Sequence, residues 1–166
     1  MGTLIGVALF LLVIVACNQQ APEAEWDLTI DGSVKQPTTY SFQDLTGLRR
    51  TKLTNTLTRN PENPDEITSW EGVTLFLLFK EPGGVEYSVD SWVLVTSADG
   101  TSHRFVTSSL RGALIALKDG EGAWLAETGE TPIRLIAPHL PSSQWVNGPV
   151  RITVHSPHPT VTPPSQ

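Results

Sequence analysis

Ser69-Trp70-Glu71-Gly72-Val73-Thr74-Leu75-Phe76-Leu77-Leu78-Phe79 is the stretch on which the reading of this chain turns. It joins a Trp, a glycine and an apolar run. Gly72 has no Cβ, so it permits a tight approach or a turn. Thr74 is a usable N-cap for the run behind it. Leu75, Leu78 and Phe79 fall at i, i+3 and i+4, one face of a short helix. Phe76 and Leu77 make the run apolar nearly all round, which predicts deep burial. The segments on either side read as β. The expectation is a strand end, a turn and a central buried helix, with sheets packed around them.

Upstream of this stretch, Trp26-Asp27-Leu28-Thr29-Ile30 alternates apolar and polar, as a half-buried strand does. Asp31-Gly32 signals a turn, and Ser33-Val34 resumes extended chain. Ser41 caps a short helix over Phe42-Gln43-Asp44-Leu45 that Gly47 ends. Arg49 to Thr58 is β-rich, and Asn60 to Asp65, with two prolines, is an exposed loop. Downstream, Glu81-Pro82-Gly83-Gly84 breaks the helix. Ser91 to Ser97 reads as a central strand, Asp99-Gly100 as a hairpin turn, and Thr101 to Thr107 as the returning partner. Ser108 to Gly112 is a short helical turn. Ala113 to Leu117 is a strand, and Trp124-Leu125 continues the extended pattern. Thr131 to Pro138 is a strand bracketed by prolines. Trp145-Val146 leads through Asn147-Gly148-Pro149 into a last strand at Val150 to Val154. Many short strands, few short helices and no βαβ rhythm predict an α+β fold, mostly β, with mixed sheets.

The first residues read differently. Leu4 to Ala16 is an apolar core followed at once by Cys17. It is too short to span a bilayer comfortably, which takes about 20 residues, and it fits a secretory signal core. Ile14-Val15-Ala16-Cys17 resembles the bacterial lipobox. The expectation is a lipoprotein signal peptide over 1–16, a diacylglyceryl group on Cys17 and a polar tether over 17–25. A domain over 26–155 and a proline-rich disordered tail over 156–166 follow. No Lys or Arg precedes the apolar core, a departure from the usual signal pattern. This reading puts the protein outside the cytoplasm, lipid-anchored to the bacterial cell membrane.

Cys17 is the only cysteine, so the chain forms no internal disulfide and keeps no thiolate if Cys17 is acylated. The formal charge of −6, with no Lys/Arg cluster, argues against nucleic acid as a partner. No Gly-x-Ser-x-Gly elbow, phosphate-cradling glycine loop or His-Glu-x-x-His motif is present.

The order of the pieces resembles the molybdopterin-binding domain of the sulfite oxidase family. Four segments carry the resemblance. They are Trp26 to Val34 with Pro37 and Phe42 to Leu45; Trp70 to Leu75 with Leu78 and Gly83-Gly84; Val95 to Gly100; and Thr131 to Pro138 with Trp145-Val146 and Arg151 to Val154. Together they span about residues 26–155. The resemblance implies molybdopterin as the cofactor. It also implies a Cys ligand to molybdenum in the region before the Trp-x-Gly-Val motif, since a soft thiolate suits that metal. Here that region is Leu53-Thr54-Asn55-Thr56-Leu57, without cysteine. The family often has a Lys after the Val of its Trp/Val segment, and here that position is Asn147. The longer insertions with basic residues that hold the cofactor phosphate have no counterpart.

Five residues stand out as candidates for cofactor or ligand binding: Asp99, Arg134, His139, Trp145 and Asn147. Asp99 is also a plain hairpin residue. Arg134 lies within an apolar strand, where a buried charge needs a partner; an ion pair to an acid such as Asp99 is set against anion binding. His139, by resemblance, faces the pterin pocket, or else it is a solvated loop residue. Trp145 is a core or rim residue, or a stacking face for a flat ligand. His155 and His158 lack the carboxylate or Cys support of a metal site. The expected function is a non-catalytic module that binds a small flat or anionic ligand or an exported protein partner. The alternative is a molybdopterin-dependent oxidoreductase or a subunit of one.

Overall fold

The computed structural model describes residues 20–57, 67–80 and 90–156, with only the backbone described at 55–57 and 67. The expected signal peptide, Cys17, the 60–65 loop, the 81–84 breakers, His158 and the tail after 156 lie outside those residues. In chain order the elements are β1 (Asp27–Gly32), β2 (Thr38–Ser41), α1 (Phe42–Gly47), β3 (Thr51–Leu57), β4 (Ile67–Thr74) and α2 (Leu75–Lys80). Then come β5 (Trp92–Ser97), β6 (Ser102–Val106), β7 (Leu114–Lys118), α3 (Leu125–Thr128), β8 (Arg134–Ile136), β9 (Val146–Asn147) and β10 (Pro149–His155). Single 3-10 turns cover Thr107–Leu110 and Ser142–Gln144.

The strands form two five-stranded sheets, ordered β2-β1-β10-β5-β6 and β3-β4-β7-β8-β9. In the first, β1 runs parallel to β10, while its other pairings are antiparallel. The second is antiparallel throughout. This is the α+β, mostly strand architecture with mixed sheets that the alternation predicts. Leu28, Ile30, Val93, Val95, Ile152 and Val154 from the first sheet join Leu114, Ile115, Leu117 and Leu135 from the second in one core. β5 alternates half-buried and buried residues, as a strand with one covered face must. All five residues of β7 are buried, so this strand is covered on both faces.

The chain passes from the second sheet to the first at Asn147-Gly148-Pro149. The Gly148 N–H donates to the Ile133 carbonyl at 3.0 Å, and the Ala98 N–H donates to the Gly148 carbonyl at 3.0 Å. Gly148 has φ +55°, and a side chain there would press on Thr131 and Trp26. The corner thus admits only a residue without a Cβ at low cost.

Around the opening stretch, the helix is present and its cap is made: the Leu77 N–H donates to Thr74 Oγ1 at 3.4 Å. Leu75, Leu78 and Phe79 are buried as the spacing predicts. Two expectations need correction. β4 runs without a turn through Gly72 into α2. Gly72 is required because β7 crosses so close that a Cβ would collide with the Ile115 carbonyl and the Ala116 Cα. The helix is not covered all round either, since Phe76 is 69% exposed.

Other differences are local. Trp124-Leu125 does not continue a strand, because α3 begins at Leu125 after a single bridge from Trp124 to Lys118. Thr38–Ser41, just before α1, forms a strand that pairs with β1. Gln20 to Glu25 is no free tether. The Gln43 amide donates to the Pro22 carbonyl at 3.1 Å. Ala21 and Ala24 pack partly buried against the core.

Candidate functional site

Arg134 opens β8, and register sets its surroundings. Across the second sheet, Gly72 pairs with Ala116, Ala116 with Arg134, and Arg134 with Asn147. Residues paired across an antiparallel sheet share a face. The arginine therefore has an amide on one side and nothing larger than a methyl group on the other. Trp70, two residues before Gly72, lies on the same face of its strand.

The guanidinium of Arg134 lies over two rings. Its Cζ is 5.4 Å from the Trp70 centroid and 5.8 Å from that of Trp145. The two rings meet edge to face at 6.1 Å and 90°. Each indole N–H is occupied: Trp70 donates to Thr68 Oγ1 at 2.9 Å, and Trp145 donates to the Ala137 carbonyl at 3.0 Å. Two anchored aromatic faces thus hold one half-buried cation. Cation–π attraction of this kind is worth about 0.5–2 kcal/mol.

The Arg134 Nε is buried without a hydrogen-bond partner. Burial also pulls the guanidinium below its ordinary pKa, since desolvation disfavours its charge. The side chain lines a cleft of about 210 Å³ with Leu125, Gly129, Glu130, Thr131 and Asn147. This cleft sits at the β8–β9 edge of the second sheet. The half-buried guanidinium beside the Asn147 amide is chemically suited to a small oxyanion, while the Thr131 hydroxyl already donates to the Ile133 carbonyl at 3.1 Å and Glu130 adds an acid to the lining.

Of the five candidates, Arg134, Trp145 and Asn147 come together. Trp145 is buried and supports Arg134 rather than presenting an open face for a flat ligand. Asp99 does not pair with Arg134. It is exposed in the β5–β6 turn, where its Oδ1 accepts the Thr101 N–H at 2.8 Å. That backbone bond, first, holds its carboxyl below the ordinary value. The expected Asp99–Arg134 ion pair is corrected accordingly: the turn's own amide takes the carboxylate. His139 is exposed in the turn beyond the far end of β8 from Arg134. His155 stacks on Trp92 at 3.7 Å.

Trp70 and Thr131 belong to the site, but the linear reading did not single them out as ligand residues. The strand alternation that sets Trp70 and Gly72 on one face could have signalled Trp70, but Gly72 read as a turn. The partner strand that brings that face to Arg134 had no local signal. A second cation–aromatic cluster lies nearby: Lys118 Nζ is 4.2 Å and Arg50 Cζ is 5.3 Å from the Trp124 centroid. Arg50 also pairs with Glu71 at 3.5 Å.

Fold and site define a class: an α+β domain of two five-stranded sheets that holds a half-buried cation at one sheet edge. The family model described as oxidoreductase molybdopterin binding domain matches residues 15–160, and the chain belongs to that family. No curated protein matches. Among solved structures, the fold is similar to that of the sulfane dehydrogenase SoxCD from Paracoccus pantotrophus, with a TM-score of 0.62 and 22% identity. The match covers 82% of this chain and 40% of that one, so this chain spans about two-fifths of its solved relative's length.

The residues present do not fit a thiolate-held molybdenum. The chain's one cysteine is Cys17, ahead of the domain. Among the described residues, no group of three or more His, Cys, Asp or Glu is placed to hold a metal.

Proposed function

We propose that this protein is an extracytoplasmic lipoprotein, anchored through Cys17, whose domain binds a small anionic ligand or an exported partner and does not itself carry out molybdenum redox chemistry. The donor set carries this reading: residues 26–155 contain no cysteine, and hydroxyls and amides are poor substitutes for a thiolate on a soft metal. Arg134, with Asn147, is the binding group. Trp70 and Trp145 hold it in place. His139 and Asp99 are exposed outside the cleft's lining and take no part in holding the small anion.

The deciding experiment expresses the full chain in a host that makes molybdenum cofactor. Molybdenum is measured by elemental analysis, and pterin by fluorescence after oxidative release, per mole of protein. Molybdenum far below stoichiometry is expected. Near-stoichiometric molybdenum would overturn the non-catalytic reading. Membership of a family named for molybdopterin favours the rival reading, an oxidoreductase or a subunit of one, and the same assay separates the two. For the anchor, a Cys17→Ser variant should lose incorporated fatty acid and leave the membrane fraction. Unchanged labelling would remove Cys17 from the account.

A further inference from the structure

The described residues ahead of the first strand, from Gln20 onward, are bound to the domain, and this has a geometric consequence. Ala21 and Ala24 pack partly buried against the core, and the Gln43 amide holds the Pro22 carbonyl at 3.1 Å. At the end of the segment, the Phe42 N–H donates to the Trp26 carbonyl at 2.8 Å, and the Trp26 indole N–H donates to the Pro149 carbonyl at 3.0 Å. Gln20 to Trp26 is therefore a strap tied to α1 and to the start of β10.

We infer that this strap fixes how the domain sits on the membrane. The end carrying α1, the Asp99 hairpin and the Gly148 corner faces the bilayer, and the Arg134 cleft opens beside that end. The inference rests on the proposed lipid at Cys17. From Cys17 to Gln20 there are only three peptide steps, which reach at most about 11 Å. A leash of that length cannot let the domain turn over.

Register says which end is held. Asp27 pairs with Ser41 just before α1, and Pro149 pairs with Ser97 just before the hairpin. The opposite end of the same sheet holds Gly32 beside Val154, with Lys35 in the turn beyond. Thr131 and Asn147 line the cleft, and Thr131 and Trp26 both border Gly148, so the cleft adjoins the strapped end. Attraction to lipid headgroups is not the cause. Glu23 and Glu25 on the strap are exposed acids, and the whole chain carries a formal charge of −6. The orientation follows from the length of the leash alone, so it should persist in zwitterionic and anionic bilayers alike and at high salt.

The test uses the full chain, acylated in its bacterial host and reconstituted into phosphatidylethanolamine–phosphatidylglycerol vesicles. Acylation occupies Cys17, so a Thr101→Cys or Lys35→Cys variant offers a single thiol for a donor dye. An acceptor dye is placed on the lipid headgroups. The two positions lie at opposite ends of strands about 20 Å long. Energy transfer should be higher from T101C than from K35C. Adding Ala21→Asp and Ala24→Asp should abolish that difference, with the melting transition confirming that the domain stays folded. Equal or reversed transfer with the intact strap would overturn the inference. Sedimentation with vesicles is read first: failure to co-sediment would overturn the anchor itself, a result distinct from equal transfer in protein that stays bound.

Discussion

Arg134 is where burial and the proposed binding role meet in this fold. Arg134 keeps its charge over two tryptophan rings while its Nε has no partner. If the residue served stability alone, it would be a poor choice, because a desolvated cation costs more than the apolar side chain that could replace it. We expect Arg134→Met to leave stability within about 1 kcal/mol of wild type, or to raise it. The same change should abolish any melting-temperature rise caused by millimolar sulfate or phosphate. A large loss of stability in urea unfolding would show a structural arginine instead. At Gly72 the expectation is opposite. Gly72→Ala must push back a backbone carbonyl, which no rotamer change relieves, so we expect a loss of at least about 1–3 kcal/mol in urea unfolding. A charge within Ile133-Arg134-Leu135-Ile136 was conspicuous in the sequence. Its partners were not, because Trp70 lies 64 positions away by residue number and only strand register joins them.

At the scale of elements, local signals read well wherever the interaction is local. Ser41 and Asp44 form a reciprocal cap on α1: the Asp44 N–H donates to Ser41 Oγ, and the Ser41 N–H donates to Asp44 Oδ2. Ser41→Ala should cost about 1 kcal/mol in chemical denaturation. The Ser41 hydroxyl, followed by the Ser41 N–H, holds the Asp44 carboxyl below its ordinary value of 3.8. A carboxyl depressed by folding stabilises the native state at pH values above its unfolded pKa. That contribution disappears as pH falls through the folded value. The stability gap between wild type and Asp44→Ala should therefore be constant near neutral pH and shrink below pH 3.8, as followed by melts across an acid series. Phe76 marks the limit of local reading. Helical spacing correctly put Leu75, Leu78 and Phe79 inside, but how much of the helix is covered depends on what packs over it. α3 escaped for a related reason. Its four residues, Leu125–Thr128, are too short for helical periodicity to show.

For the whole molecule, the defining contact is β1 against β10, the first strand against the last. Ile30 and Ile152 are register partners and both fully buried. Each truncation to Ala should cost about 2–5 kcal/mol, and the two costs should couple rather than add, as read by a double-mutant cycle. Such a pairing closes a loop of more than 100 residues, so folding should be slow, on the millisecond-to-second scale in stopped-flow refolding. By itself the sequence determined the strand-rich class, the capped α1, the helix after Thr74, the Asp99–Gly100 hairpin and the kinship with molybdopterin-binding domains. The elements depend on period, caps and turn residues, which act over a few positions, and the kinship is a resemblance carried by the order of four segments along the chain. Only the tertiary structure decided that β1 lies parallel to β10 and that Gly72 yields its Cβ space to β7. It alone brought Trp70 and Trp145 to Arg134, and it alone tied the residues before Trp26 to α1. Those outcomes depend on which strand edges meet and in what register, and no local preference encodes either.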